Sequence, residues 1–221
     1  MSEFDFKNII LPVYIINIIE RPERFNHIIN EFKNRFEFEI NIIQSHKHIK
    51  GNVGLWNNIK ECVRQAIEKE EDLIIICEDD HIFTNDYNKD DFIREILYSH
   101  AQGAKVILGG VSGFKHAVPI SRTRYWVNSF WGTQFVVVFS SLFQEILNYP
   151  FADNDAADAV FSEMTSHKMV LYPFISVQKY FGYSDVTRNN DIFKNLVDDY
   201  FNEAKSRMDI YKSIYEKYCL E

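Results

Sequence analysis

The chain has 221 residues, 46% of them hydrophobic and 25% charged, which predicts one globular domain with at most an appended segment. Its formal charge of -8, from 24 Lys and Arg against 32 Asp and Glu, excludes a general nucleic-acid binder, which needs cations against phosphates, and offers no polybasic membrane patch. Cys62, Cys77 and Cys219 are odd in number and lack CxxC spacing, which argues against a disulfide framework or zinc site and fits a reducing compartment.

Residues 9–19 are apolar and β-branched around Asn17, the signature of a strand buried on both faces. Pro22, within Glu20-Arg21-Pro22-Glu23-Arg24, suits the first turn of a helix running to about residue 36. Residues 38–43 read as a second strand, followed by a polar loop with His46 and His48. Gly51-Asn52-Val53-Gly54 marks a turn. Leu55, Ile59, Val63 and Ile67 then recur at helical spacing across residues 55–69.

Leu73-Ile74-Ile75-Ile76-Cys77 is a short buried strand, and it ends in Glu78-Asp79-Asp80. Three carboxylates at the mouth of a strand repel one another unless a cation or hydrogen bonds offset the charge. Ligands of open α/β sheets sit outside the carboxyl ends of the strands, and oxygen-rich acidic sites suit Mg²⁺ or Mn²⁺. In an extended strand end, Glu78 and Asp80 would face one side and Asp79 the other, so that one set can hold metal while the other holds a ribose hydroxyl. The bland alternative is a solvated loop cap.

Residues 90–100 read as a helix capped by aspartates, and residues 105–108 as a strand closed by Gly109-Gly110. Residues 111–128 look irregular; Lys115, His116, Arg122, Arg124, Tyr125 and Trp126 suggest a mobile acceptor loop. Residues 130–139 read as one strand carrying Gly132-Thr133, and residues 141–148 as a short helix. Asp153, Asp155 and Asp158 open a helix to about residue 166. Asp155 and Asp158 have N-cap and N3 spacing; they either cap the helix or include a general base for an acceptor hydroxyl. Trp126, Trp131 and Tyr125 are candidates to stack on a sugar, with core packing the plainer role for Trp131. Residues 169–171 form a strand, residues 173–178 continue toward the site, and a helical tail follows from residue 189.

Alternating strands and helices predict an α/β fold, and the uneven later half predicts a mixed sheet. The expected division is a domain over residues 1–190 and a helical extension over 191–221 packed on it. Arg21 and Arg24 sit where the helix dipole disfavours cations, which makes a phosphate or nucleotide attractive there. No apolar run spans a membrane, and residues 1–6 are acidic without a signal-peptide pattern. A cytoplasmic location is expected, with peripheral membrane contact still allowed.

Several segments together resemble glycosyltransferase family 25, the lipooligosaccharide-type and collagen-type sugar transferases. Tyr14-Ile15-Ile16-Asn17-Ile18 with Arg21 and Arg24 looks like its opening strand and arginine turn. Residues 51–60 look like its glycine turn and helix, with Trp56-Asn57-Asn58 where the family carries Ser-His. Ile76-Cys77-Glu78-Asp79-Asp80-His81-Ile82-Phe83 resembles its Leu-Glu-Asp-Asp-x-x-Phe signature. Phe130-Trp131-Gly132-Thr133-Gln134-Phe135 resembles its Gly-Thr-x-x-Tyr strand. Tyr172-Pro173-Phe174-Ile175-Ser176-Val177-Gln178 and Ser184-Asp185 resemble its late elements.

The resemblance covers about residues 12–190 and implies a GT-A fold. It implies a nucleotide-sugar donor, UDP-linked, and a glycan or lipid-linked sugar acceptor in surface polysaccharide or lipopolysaccharide synthesis, with inversion. By this reading Glu78 and Asp80 hold Mn²⁺ or Mg²⁺. Asn17, Arg21, Arg24, Asp79 and Gln178 line the donor site, Asn17 through its backbone. Asp155 or Asp158 is the base. The rival readings are a non-catalytic GT-A-like nucleotide or glycan binding module and, behind it, a metal-dependent phosphohydrolase.

Overall fold

The computed structural model describes residues 6–182 and 196–219. Twelve strands and six α-helices occur among them. Eight of the strands form one sheet in the order β2-β1-β3-β10-β5-β11-β8-β7. β1 (Leu11–Ile18) runs parallel to β2 (Phe38–Ser45) and β3 (Leu73–Glu78). β10 (Phe135–Phe139) is antiparallel to both β3 and β5 (Val106–Leu108), and β11 (Lys168–Leu171) is parallel to β5. The insertion of β10 between parallel strands makes the sheet mixed, as the sequence predicts.

Helices cover both faces. Along β1, Tyr14 and Ile16 point into one core with Trp56, Ile59 and Val63 of α2 (Gly51–Glu68). Val13 and Ile15 point into the other with Ile28 of α1 (Pro22–Glu31) and Ile93 and Ile96 of α3 (Lys89–Ala101). Burial on both faces explains the unbroken apolar run of β1.

Several expected boundaries move. The first helix ends at Glu31, because Asn34 takes a left-handed conformation, φ 66°, a few residues later. Residues 51–54 are not a turn but the first turn of α2. A Cβ on Gly54 would lie 2.7 Å from the His48 Cβ, so this glycine permits close packing rather than breaking the helix. α3 is capped by Asn88, whose side chain accepts from the Asp91 N–H at 3.1 Å. Residues 130–139 are two strands, β9 (Phe130–Trp131) and β10, divided where Gly132 has φ +103°.

The segment expected to be an irregular acceptor loop is largely strand. β6 (Gly113–Phe114) pairs with β9, while β7 (Ala117–Pro119) and β8 (Arg124–Val127) form the far edge of the main sheet. Tyr125 is buried, and Arg124 is buried in an ion pair with Glu95 at 2.7 Å. α4 (Phe143–Asn148) and α5 (Ala157–Met164) follow β10, and β4 (His81–Phe83) pairs with β12 (Ser176–Gln178).

α6 (Leu196–Tyr218) lies on the domain through Val197, Phe201, Ala204 and Met208. Its Arg207 donates to the Phe114 and Lys115 carbonyls at 2.7 and 2.9 Å, and the Tyr172 hydroxyl meets Asp209 and the Lys205 carbonyl. The expected division between residues 190 and 191, and the Ser184-Asp185 element, lie outside the described residues. None of the described helices is long and apolar enough to cross a membrane.

Candidate active site

A cavity of about 870 Å³ opens at the carboxyl ends of β1 and β3. α1, α2, β9, α5, β12 and α6 wall it, and Glu78, Asp79 and Asp80 form part of its lining. This is where open α/β sheets bind ligands.

The acidic triplet does not alternate as expected. β3 ends at Glu78, and Asp79-Asp80 turn back into β4. As a result Asp79 and Asp80 converge on one cation: Arg24 Nη1 lies 3.1 Å from Asp79 Oδ1 and 3.0 Å from Asp80 Oδ2. Asn17 Nδ2 donates to Asp79 Oδ2 at 2.9 Å, and Gln178 Nε2 to Asp80 Oδ2 at 3.1 Å. Glu78 turns instead to the Thr133 hydroxyl, which donates to it at 2.5 Å. Burial, and then the neighbouring Asp80 charge, pushes the Glu78 carboxyl above the usual range. Burial likewise raises Asp80, with Arg24 opposing.

Gln178 reaches Asp80 because residues 173–178 cross the end of β5 at close range. The Gly109 carbonyl accepts from the Ile175 and Ser176 N–H groups, and a Cβ on Gly110 would lie 2.1 Å from the Ser176 carbonyl oxygen. Only glycine fits there.

Among the described residues no three His, Cys, Asp or Glu side chains make a ready metal cage. Both Asp79 oxygens are engaged, but Asp80 Oδ1 is buried with no hydrogen-bond partner. A buried carboxylate oxygen left in this way invites an ion or water. Asp80 Oδ1 with Glu78 is a two-carboxylate donor set of the kind that holds Mg²⁺ or Mn²⁺ jointly with substrate phosphates. The residues fit such a shared site.

Both arginines line the cavity, but Arg24, one turn on from Arg21, is buried and serves as counter-ion to Asp79 and Asp80, with its guanidinium 4.9 Å from the Phe181 ring centre. Asn17 does not line the cavity; its side chain holds Asp79.

Asp155 and Asp158 also separate. The N-cap of α5 is Ala156, so the N-cap and N3 assignment does not hold. Asp155 accepts from the Ala152 N–H at 2.8 Å within its own loop and is absent from the cavity lining. Asp158 lines the cavity and accepts from the Gly132 N–H at 3.1 Å and the Ala159 N–H at 2.8 Å. Burial raises its carboxyl above the ordinary range, although both N–H groups act against this. Of the aromatic candidates, Tyr125 is core and Trp126 is tied to the Ser166 carbonyl at 2.7 Å; Trp131 is the one in the cavity wall. The sequence gives no sign that α6 adds Tyr200, Glu203 and Arg207 to that wall. Thr133 stands in a quoted motif, but only the fold brings it to Glu78.

No family model matches the sequence, and no curated protein does. Solved structures do. The STIV protein A197 superposes with a TM-score of 0.50 at 13% identity, over 77% of this chain and 86% of that one. What is shared is the fold. A glycosyltransferase involved in the glycosylation of the major capsid of PBCV-1 gives 0.46 at 9% identity, over 73% and 81% of the two chains. Apo UDP-glucose pyrophosphorylase gives 0.47 at 10% identity, over 89% and 82%. The architecture is mixed α/β: a central mixed sheet flanked by helices, with a C-terminal helix.

Proposed function

We propose that the protein is a metal-assisted glycosyltransferase that moves a hexose from a UDP-sugar to a hydroxyl of a glycan or lipid-linked sugar. The observation that carries this reading is Asp80 Oδ1, buried and unpartnered beside Glu78 in a cavity at the carboxyl end of β3. That donor set suits a divalent cation shared with a diphosphate. The resemblance to glycosyltransferase family 25 supplies the expectation of a surface-glycan product.

In this reading Glu78 and Asp80 would hold Mn²⁺ or Mg²⁺, which when bound neutralises the diphosphate and helps it leave. Asp79, oriented by Asn17 and Arg24, faces the ribose or the transferred sugar. Arg21 is positioned for a phosphate. Asp158 accepts the proton of the acceptor hydroxyl as that oxygen forms its bond to the anomeric carbon and the bond to the nucleotide oxygen breaks. Attack from the face opposite the nucleotide inverts the centre. A carboxylate with a raised pKa is the stronger base for this step.

A second reading is a nucleotide or glycan binding module without turnover. It is favoured by one feature: both Asp158 oxygens already accept backbone N–H groups.

Calorimetric titration of UDP with and without Mn²⁺, with GDP and CDP as controls, tests the donor site. Metal-dependent binding selective for UDP, lost in Asp80→Ala, is expected. Absence of all nucleotide binding would defeat the donor reading, and UDP binding by Asp80→Ala equal to wild type would defeat the metal assignment. Release of UDP from a UDP-sugar separates the enzyme from the binding module.

A further inference from the structure

β6 and β9 form a ribbon of two residues each beside the cavity, and Gly113 sits directly opposite Trp131 in it. A Cβ on Gly113 would lie 2.7 Å from Trp131 Cε3 and 3.3 Å from Cζ3, so the six-membered ring of the indole rests against bare glycine backbone. The ribbon fixes the ring's root as well, because the Trp131 carbonyl accepts from the Ser112 N–H at 2.9 Å and the Ser112 hydroxyl at 3.1 Å. The next residue, Gly132, donates its N–H to Asp158 Oδ2. One short ribbon therefore places an indole and a carboxylate in a single cavity wall.

Trp131 is 44% exposed. The other two tryptophans differ: Trp56 is buried and stacked on Phe151 at 4.9 Å, and Trp126 is pinned by its ring N–H. Core packing accounts for Trp56 but not for Trp131, whose indole rests against Gly113 and lines the cavity half-exposed. A fixed aromatic face next to a hydrogen-bonding carboxylate matches a saccharide, whose ring carries an apolar C–H face and a rim of hydroxyls.

We infer that Trp131 is the acceptor platform: a saccharide ring stacks on its indole and presents a hydroxyl to Asp158. The inference rests on the glycosyltransferase reading of the same cavity. It goes beyond that reading by assigning the acceptor a ring-stacking mode and by making Trp131 its specificity-determining residue. Stacking needs an equatorially substituted ring face without axial hydroxyls on the contacting side, so the platform discriminates among hexoses by shape.

The test compares wild type, Trp131→Ala, Trp131→Phe and Gly113→Ala on an array of neutral and acidic oligosaccharides, in the presence of UDP and Mn²⁺. UDP affinity of each variant is measured in parallel by calorimetry. The expected result is retention of at least one saccharide by wild type. Trp131→Ala should lose about tenfold or more of that affinity and Trp131→Phe less, a conservative rescue that a general folding defect would not give. Gly113→Ala, which pushes the indole without deleting it, should also weaken retention. UDP affinity should stay within about twofold throughout.

Saccharide binding by Trp131→Ala equal to wild type would overturn the inference, as would wild type retaining no saccharide. A loss of UDP affinity in Trp131→Ala would overturn it differently, by making the indole a platform for the base. If no protein, wild type included, binds UDP while wild type retains saccharide and Trp131→Ala does not, the donor reading fails and the platform stands.

Discussion

Arg24→Met removes the charge beneath the acidic turn while keeping much of the side-chain volume. Arg24 is 4% exposed, and its contacts to Asp79 and Asp80 are 3.1 and 3.0 Å. Removing one member of a buried ion pair costs about 3–5 kcal/mol, because the remaining charge stays desolvated. The lost contact of the guanidinium with Phe181 adds roughly 0.5–1 kcal/mol. For a chain of this length each kcal/mol shifts the melting midpoint by about 2–4 °C, so Arg24→Met should melt roughly 7–24 °C lower.

The same argument fixes the response to metal. Without Arg24 the two carboxylates lack their counter-ion, so a divalent cation should bind the variant more tightly than wild type in the absence of nucleotide. Saturation at about 100 times the dissociation constant would restore roughly 2.7 kcal/mol. The assay is urea denaturation in EDTA and in millimolar Mn²⁺, with Phe181→Leu as the control for the ring contact. If Arg24→Met lies within about 1 kcal/mol of wild type in EDTA, or if Mn²⁺ stabilises both proteins equally, Arg24 is not the counter-ion of this site.

Asp158→Asn should lower kcat by about 10²–10⁴-fold with UDP affinity unchanged, whereas Asp155→Asn should stay within a few-fold; UDP release against acceptor concentration distinguishes them. Gly110→Ala should destabilise by about 3 kcal/mol or more, since its Cβ would meet the Ser176 carbonyl at 2.1 Å, and an unchanged urea midpoint would contradict that crossing. Tyr172→Phe should weaken the docking of α6 by about 2 kcal/mol, because the hydroxyl meets the Asp209 carboxylate, and should speed hydrogen exchange in α6 before the sheet. His27 bonds the His81 carbonyl at 2.9 Å, and burial lowers its pKa. The unfolded chain therefore takes up this proton below about pH 6.5 while the folded one resists it, so stability falls as the pH drops. His27→Gln should show a shallower fall, and identical slopes would remove His27 as a cause.

The legible parts of this chain were those whose burial repeats along the sequence. β1 and β3 are apolar on both faces, so each is readable without knowledge of its partners. β6, β7 and β8 are two to four residues long and carry Arg124, whose partner Glu95 comes from α3. Their pairing depends on β9, β11 and α6, and nothing local announces it. The acidic cluster was visible as a cluster, but its turn was not, because extended alternation is a local rule and the turn into β4 is set by the pairing of β4 with β12.

The arginines show the same limit most sharply. Arg21 and Arg24 are one helical turn apart on the same end of α1, and by charge and dipole they are equivalent candidates for a phosphate. The fold separates them by burial, although both line the cavity. One turn further along the helix, Arg24 is buried and bonded to Asp79 and Asp80, which lie 55 and 56 residues later in the chain. A cation in the sequence is therefore a ligand for phosphate or a counter-ion for carboxylates depending on contacts that only the tertiary structure creates. In this chain Arg24 and Asn17 engage both Asp79 oxygens, and Asp80 Oδ1 is the carboxylate oxygen of that pair left without a hydrogen-bond partner.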